Sequence, residues 1–181
     1  MNSLSKQNRT NVIDVLTERL TFERTGVRLY DRILERIRAT GDPEVAGLHA
    51  PMTAFRDQEK EHEEWLEAKI REMGGSAHAM TARATLVKTE SRGLEEVIFD
   101  ERATLPQMLH ALLAAELVDN AGWDLLVALA DEANDHELKK QFKRRLHEEE
   151  DHLALLQRAV ARFAKREVLA AEDPSVSPSG S

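Results

Sequence analysis

Two short stretches decide the fold of this chain: Glu59-Lys60-Glu61-His62 and Glu149-Glu150-Asp151-His152. Each places a histidine three residues after a glutamate, so the two side chains lie one turn apart on one helix face. Outward from each pair, apolar residues recur at helical spacing, from Phe55 to Met73 and from Leu138 to Phe163. The pattern predicts two amphipathic helices that turn a carboxylate and an imidazole toward the core.

Two further rows of apolar residues at helical spacing each contain one glutamate, Glu23 or Glu116. Tyr30 follows Glu23 by seven residues, and Trp123 follows Glu116 by seven. The two halves of the chain therefore read as copies of one helical hairpin. Each half supplies a lone glutamate on its first helix and a Glu-x-x-His pair on its second.

Sparse glycine and proline residues mark the boundaries between these helices. Helices are expected at about 10–39, 43–73, 105–131 and 135–167. The connection 74–104 is long enough to cross a bundle and has room for a short helix near 94–99. Together these elements predict an all-α four-helix bundle, in which two antiparallel hairpins are joined by a long crossover. The bundle is expected over 10–167, after an N-terminal extension, 1–9, and before a disordered Pro/Ser-rich tail, 168–181.

Composition excludes several classes of protein. The 181 residues include no cysteine, which rules out disulfides and cysteine-ligated clusters. The net charge of -8 argues against a nucleic-acid partner. No apolar run approaches the length of a membrane span, and the N-terminus lacks the apolar segment of a signal peptide. We therefore expect a cytoplasmic protein with no membrane partner.

The four in-phase glutamates would repel one another in a core that disfavours isolated charge. The apolar rows supply no matching lysines or arginines, and only Arg145 lies near one of them. Two divalent cations would compensate the carboxylates directly, and carboxylate plus imidazole suits iron or manganese, and zinc less exclusively. The predicted metal ligands are Glu23, Glu59, His62, Glu116, Glu149 and His152.

This ligand set resembles that of the ferritin-like di-iron and di-manganese carboxylate superfamily, over about 10–163. Its two histidines make it more similar to rubrerythrin, bacterioferritin and manganese catalase than to animal ferritin, and 104–124 resembles a bacterial ferritin-like family of unassigned function. The resemblance implies that Glu59 and Glu149 bridge two metal ions, that Glu23 and Glu116 are terminal ligands, and that each histidine caps one ion.

Departures from these families refine the expectation. Rubrerythrin carries a cysteine-ligated domain that this chain lacks, and Lys60 stands where bacterioferritin has its haem-binding methionine, so no haem is expected. The tail offers no counterpart of the fifth helix of ferritin cages. A homodimer or another small homo-oligomer is therefore expected instead of a storage cage.

The resemblance implies an oxidoreductase in which two iron ions react with dioxygen or hydrogen peroxide. Iron oxidation or peroxide removal is favoured over substrate hydroxylation, because nothing in the sequence suggests a pocket for an organic substrate. A manganese catalase-like enzyme is one alternative. Another is a non-catalytic, stress-related bundle with a vestigial or zinc-filled site, whose buried glutamates are protonated or hydrated.

Several nearby residues permit two interpretations. Tyr30 and Trp123 are either plain core or hydrogen-bonding and electron-transfer groups beside the metals. Asp119 either orients a ligand histidine or is solvated. Within 148–151, only Glu149 is expected to turn inward. The remaining histidines are expected at the surface or in structural positions: His49, His78, His110, His136 and His147.

Overall fold

The computed structural model describes Leu4 and residues 8–169, and it contains helices but no strand within those residues. The helices are α1 (Arg9–Arg38), α2 (Pro43–Ala46), α3 (His49–Glu72), α4 (Ala82–Phe99), α5 (Leu105–Glu132) and α6 (His136–Leu169). Most of the predicted N-terminal extension, and the predicted tail from residue 170 onward, lie outside the described residues. None of the described helices is both long enough and apolar enough to span a membrane.

The topology is the predicted one. α1 packs against α3 to form one hairpin, and α5 packs against α6 to form the other. α4 connects the two hairpins and packs against α1 and α5. The prediction of two antiparallel hairpins joined by a long crossover is therefore confirmed.

Two helix boundaries differ from the sequence prediction. The second predicted helix is divided, because the chain forms the short α2 and then restarts as α3 after the Gly47-Leu48 turn. The crossover helix α4 has 18 residues, three times the six residues predicted at 94–99. Its N-terminus is capped by Thr81, whose side chain accepts a hydrogen bond from the backbone N–H of Ala84. The periodic signal of this helix is weak because some of its large apolar side chains, such as Leu86 and Phe99, are exposed, whereas small residues are buried.

The apolar core is divided into two clusters with a polar layer between them. One cluster includes Leu29, Ile33, Leu109 and Leu156, and the other includes Leu20, Leu66, Trp123 and Phe142. On each long helix the predicted glutamate lies between residues of these two clusters. The fold therefore places all four glutamates at one level of the bundle.

Candidate metal centre

The structure brings the six predicted ligand side chains together in this polar layer. α1 contributes Glu23 and α5 contributes Glu116, while α3 and α6 each contribute a Glu-x-x-His pair. All six residues are buried, with at most 2% of their surface exposed. Charged groups are seldom buried so completely unless they are paired or bind metal, so their clustering calls for a chemical explanation.

The six side chains form overlapping groups, two of which contain a histidine, and a third group joins Glu23, Glu59 and Glu149 to Asp119. Possible ligand atoms of Glu59, Glu116, Glu149 and His152 all lie within 4.8 Å of one another. The same distance relates Glu23, His62 and Glu149. We call Glu59, Glu116 and His152 the His152 half of the centre, and Glu23 and His62 the His62 half; Glu149 belongs to both. This sharing agrees with the bridging role that the resemblance implies for Glu149.

Apart from contacts with one another, the facing atoms of these side chains lack hydrogen-bond partners. They are Oε2 of Glu23, Oε2 of Glu59, Oε2 of Glu116, both carboxylate oxygens of Glu149, and Nδ1 of His62 and of His152. Buried polar atoms are normally hydrogen-bonded, so an inward-facing set without partners indicates a place for a cation. Oxygen and imidazole nitrogen suit iron and manganese. The residues present therefore fit a two-metal centre.

Close approach of the helices makes this convergence possible. A Cβ atom at position 26 of α1 would lie 2.4 Å from Oε2 of Glu59, closer than real Cβ contacts allow. Gly26 therefore leaves the space that the Glu59 carboxylate occupies. A larger side chain at this position would displace a predicted bridging ligand.

In the metal-free protein the two histidines supply positive charge. Nδ1 of His62 lies 2.8 Å from Oε1 of Glu149, and Nδ1 of His152 lies 3.1 Å from Oε2 of the same residue. Burial alone would lower the pKa of each imidazole, but the surrounding carboxylates outweigh it. They raise the pKa of His62 to about 11 and that of His152 to about 12. Imidazolium charge thus balances carboxylate charge where metal ions would otherwise do so.

The carboxyl groups respond unequally to this environment. Burial, reinforced by Glu149 and Glu23, raises the pKa of Glu59 well above its usual range. Burial also raises the pKa of Glu116, to about 7. For Glu149 burial acts in the same direction, but His152 and His62 outweigh it and hold the pKa well below its usual range. The most shared carboxylate is therefore ionised and available.

The outer nitrogen of each histidine is held by a residue that the sequence reasoning did not identify. Nε2 of His62 lies 2.8 Å from Oε2 of Glu148, and Nε2 of His152 lies 2.8 Å from Oε1 of Gln58. Both partners fix the imidazole so that Nδ1 faces the centre. The expectation that only Glu149 turns inward from 148–151 is therefore wrong. The signal was present, because each partner directly precedes a predicted bridging glutamate.

The aromatic residues also contact the ligands. The Tyr30 hydroxyl donates to Oε1 of Glu116 at 2.6 Å, and Nε1 of Trp123 donates to Oε1 of Glu23 at 2.9 Å. Both aromatic side chains are fully buried. Each aromatic thus orients the lone glutamate of the opposite hairpin, so the hydrogen-bonding interpretation describes them better than that of plain core.

Asp119 is buried, but its partner is a guanidinium and not a histidine. Oδ1 of Asp119 lies 2.5 Å from Nη2 of Arg19, and Nη1 of Arg19 donates to the Asp119 backbone carbonyl at 3.1 Å. Nε of Arg19 also lies 3.3 Å from Oε1 of Glu23. The statement that the apolar rows supply no cation beyond Arg145 is therefore wrong. The i, i+4 spacing of Arg19 and Glu23 could have revealed the pair.

The remaining polar residues near the motifs lie away from the centre. Glu61 and Glu150 are exposed, as the helical phase predicts. The five other histidines are all outside the buried group: His78, His110, His136 and His147 are exposed, and His49 is half-buried.

Similarity to known proteins supports the fold assignment. No protein-family model matches the chain, and no curated protein matches it. Among solved structures it is similar to a ferritin-like, diiron-carboxylate protein from Bacillus anthracis strain Ames, with a TM-score of 0.64 and 18% sequence identity. The match covers 83% of this chain and 96% of the other. The chain has the ferritin-like fold, in agreement with the resemblance drawn from its sequence.

Proposed function

We propose that this protein is a dinuclear metal oxidoreductase, with iron as its metal, that reacts with dioxygen or hydrogen peroxide. The observation that carries the proposal is the set of six buried ligand side chains whose inward atoms have no partners outside the group itself. The ligands would be Glu23, Glu59, His62, Glu116, Glu149 and His152. The similar Bacillus anthracis protein, described as a diiron-carboxylate protein, supports the choice of iron.

The chain's own residues would prepare such a centre in three ways. Glu148 and Gln58 hold the two imidazole rings so that Nδ1 of each faces inward. Tyr30 and Trp123 each occupy one oxygen of a lone glutamate and leave the other free. The apolar clusters on either side exclude water. A bound pair of ferrous ions would supply the electrons that reduce dioxygen or peroxide.

Iron oxidation and peroxide removal are the reactions proposed for this centre. No separate general acid or base is required of the chain beyond its metal ligands. Five surface pockets among the described residues are lined by residues other than the six ligands, which agrees with a small oxidant in place of an organic substrate. Because the buried centre has four carboxylates and two imidazoles, manganese would suit it as well.

Anaerobic loading followed by oxidation tests the proposal. Apoprotein loaded with ferrous ion should retain two ions per chain by elemental analysis, and admission of air or peroxide should produce ferric absorbance in the ultraviolet. Retention of one ion or none would contradict the dinuclear centre. Two retained ions without accelerated oxidation would favour the non-catalytic bundle with a vestigial or zinc-filled site.

Loading the same apoprotein with manganese distinguishes the remaining alternative. Iron-loaded protein should consume peroxide faster than manganese-loaded protein if the proposal is correct. Oxygen release from peroxide by the manganese form alone would instead identify a manganese catalase-like enzyme.

We also propose that the protein is a homodimer through the outer face of α5. Leu117, Val118, Leu125 and Leu129 lie on this face and are 36–51% exposed. Within 117–129, the exposed charged residue nearest to them is Asp124, at the edge of this face. In a chain with a net charge of -8, this largely apolar face lets two copies approach with little like-charge repulsion.

Light scattering tests the dimer. The wild-type chain should have twice its monomer mass, and Leu117→Glu combined with Leu125→Glu should give a monomer. Leu86→Glu, on α4 at a residue that is 57% exposed, is the matched control and should leave the dimer intact. A particle of many subunits would contradict the proposal.

A further inference from the structure

Arg19 places a fixed positive charge beside only one half of the centre. Its guanidinium is buried, with 6% of the side chain exposed, and lies 3.3 Å from Oε1 of Glu23. Asp119 and its backbone carbonyl hold the other end of the guanidinium. Arginine remains protonated in proteins, so this charge is permanent.

Gly122 on α5 leaves the space that the Arg19 side chain occupies. A Cβ atom at position 122 of α5 would lie 1.7 Å from Nη1 of Arg19, so any residue other than glycine would displace the guanidinium from this position. In the other hairpin, the residue one turn before the lone glutamate Glu116 is Leu112, which is fully buried. The repeat therefore carries a cation next to Glu23 and a neutral side chain next to Glu116.

The two halves also differ in the ligands that they offer. Four residues converge in the group that contains His152, whereas three converge in the group that contains His62. Oε1 of Glu23 is contacted by both Trp123 and Arg19, so Glu23 offers only Oε2. Among the six predicted ligands, the His62 half thus offers fewer free atoms than the His152 half, and a cation lies beside it. Asp119, a further carboxylate near Glu23, is paired with that cation.

We propose that Arg19, held by Asp119, is a positioning residue that weakens divalent-cation binding in the His62 half, so that the His152 half binds its ion first. The inference depends on the proposed two-metal function. Its physical basis is repulsion between the guanidinium and an incoming dication, which solvent screens little in a buried site. Asp119 offsets part of this charge, but it lies within 4.8 Å of ligand atoms from both halves, namely Glu59 and Glu23.

Calorimetric titration of the full-length apoprotein with Mn²⁺, without any turnover, tests the order of binding. The wild type should show two separate binding events. His62→Ala should retain the tighter event and lose the weaker one, whereas His152→Ala should lose the tighter one. The reverse assignment, or two equal events in the wild type, would overturn the inference while leaving the proposed function intact.

A charge-removing pair of substitutions tests the role of Arg19. Arg19→Gln with Asp119→Asn retains hydrogen-bonding groups in both places, and we expect it to narrow the ratio of the two dissociation constants about tenfold or more. Arg19→Lys, which keeps the charge, should keep most of that ratio. Arg24→Gln is the matched control, because Arg24 also lies on α1 but pairs with Glu63 and Glu67 near the surface.

The results of these experiments distinguish the role of Arg19 from the proposed two-metal function. An unchanged ratio in the Arg19→Gln, Asp119→Asn protein overturns the role of Arg19, and so does an equal narrowing in Arg24→Gln. If the wild type binds no Mn²⁺ and no ferrous ion, the proposed function fails and the inference fails with it. Circular dichroism of each apoprotein verifies that the variants are folded.

Discussion

The two hairpins of this bundle are alike where they supply ligands and different where they surround them. Each provides a lone glutamate, a Glu-x-x-His pair and an aromatic residue that orients the glutamate of the other hairpin. The residues one turn from the lone glutamates differ. Arg19 corresponds in the repeat to Leu112, and Gly26 corresponds to Asp119.

The partners of the histidines differ as well. His62 is held by the carboxylate of Glu148, whereas His152 is held by the neutral amide of Gln58. Beside Trp65, Arg145 stacks with its guanidinium 3.9 Å from the ring centroid, while its counterpart in the repeat, Phe55, packs 4.1 Å from the His152 ring. The two copies of the repeat thus supply the same set of ligands but give the two halves of the centre different electrostatics.

Removing the residue that both halves share should have the largest effect. Glu149→Ala takes a carboxylate from both ligand groups, so we expect metal binding and ferrous oxidation to fall by about 100-fold or more. Elemental analysis and ultraviolet absorbance measure the two losses. Glu150→Ala, at the exposed neighbouring position, is the control and should retain nearly full binding. Equal losses in the two variants would contradict the assignment of Glu149.

Metal should stabilise the whole bundle, because both halves bind it only when folded. At a Mn²⁺ concentration a hundredfold above the dissociation constant, the gain is about 2.7 kcal/mol per site, provided the unfolded chain binds little metal. For a chain of this size the melting temperature should rise by about 5 to 10 °C for each occupied site. Differential scanning calorimetry with and without Mn²⁺ measures this rise. An unchanged melting temperature at neutral pH would favour a bundle that binds no metal.

The stabilisation by metal should shrink in acid. Folding raises the pKa of His152 from 6.5 to about 12 and that of Glu116 from 4.5 to about 7. For both groups the contribution to metal-free stability is complete below the unfolded pKa and is lost as pH rises through the folded pKa. The metal-free protein therefore loses stability between about pH 4.5 and 7 through Glu116 and above about pH 6.5 through His152, while metal, which displaces these protons, binds more tightly as the pH rises. The rise in melting temperature should be larger at pH 7.5 than at pH 5.5.

The sequence was sufficient for the architecture and for the clustering of the six candidate ligands. Helical period determines which face a side chain takes, and each of these residues lies in an apolar row, so burial of the row buries them together. The length of α4 could not be obtained in the same way. Its buried residues Ala84, Val87, Ser91 and Ile98 have helical spacing, but two of them are small, and exposed apolar residues such as Leu86 and Val97 obscure the periodic signal.

The residues that contact the predicted ligands could be identified only from the structure. Gln58 and Glu148 lie about 100° from the apolar rows, and their side chains are long enough to reach a histidine on the neighbouring helix. Helical phase does not specify which neighbour a long polar side chain will meet. The Arg19–Asp119 pair depends in addition on the close approach of α1 and α5 at Gly122.

Exchanging the partners of the histidines should alter the two halves in opposite directions. Glu148→Gln gives His62 the neutral partner that His152 has, and it should weaken Mn²⁺ binding in the His62 half about tenfold, within the range usual for residues that orient ligands. Gln58→Glu should strengthen binding in the His152 half. Calorimetric titration measures both affinities, and Glu150→Gln is the control. A uniform change in both affinities would show that the partners do not act on separate halves.

The smallest expected effect distinguishes Tyr30 as a hydrogen-bond donor from Tyr30 as plain core. Tyr30→Phe keeps the ring but removes the hydroxyl that donates to Glu116, so the metal-free protein should lose about 1 kcal/mol in free energy of unfolding. Urea denaturation at neutral pH measures the loss. In a Glu116→Leu background the acceptor is absent, so the same substitution should cost much less, and the difference is the coupling energy of the pair. An equal loss in both backgrounds would mean that the hydroxyl does not act through Glu116 and that the ring alone matters.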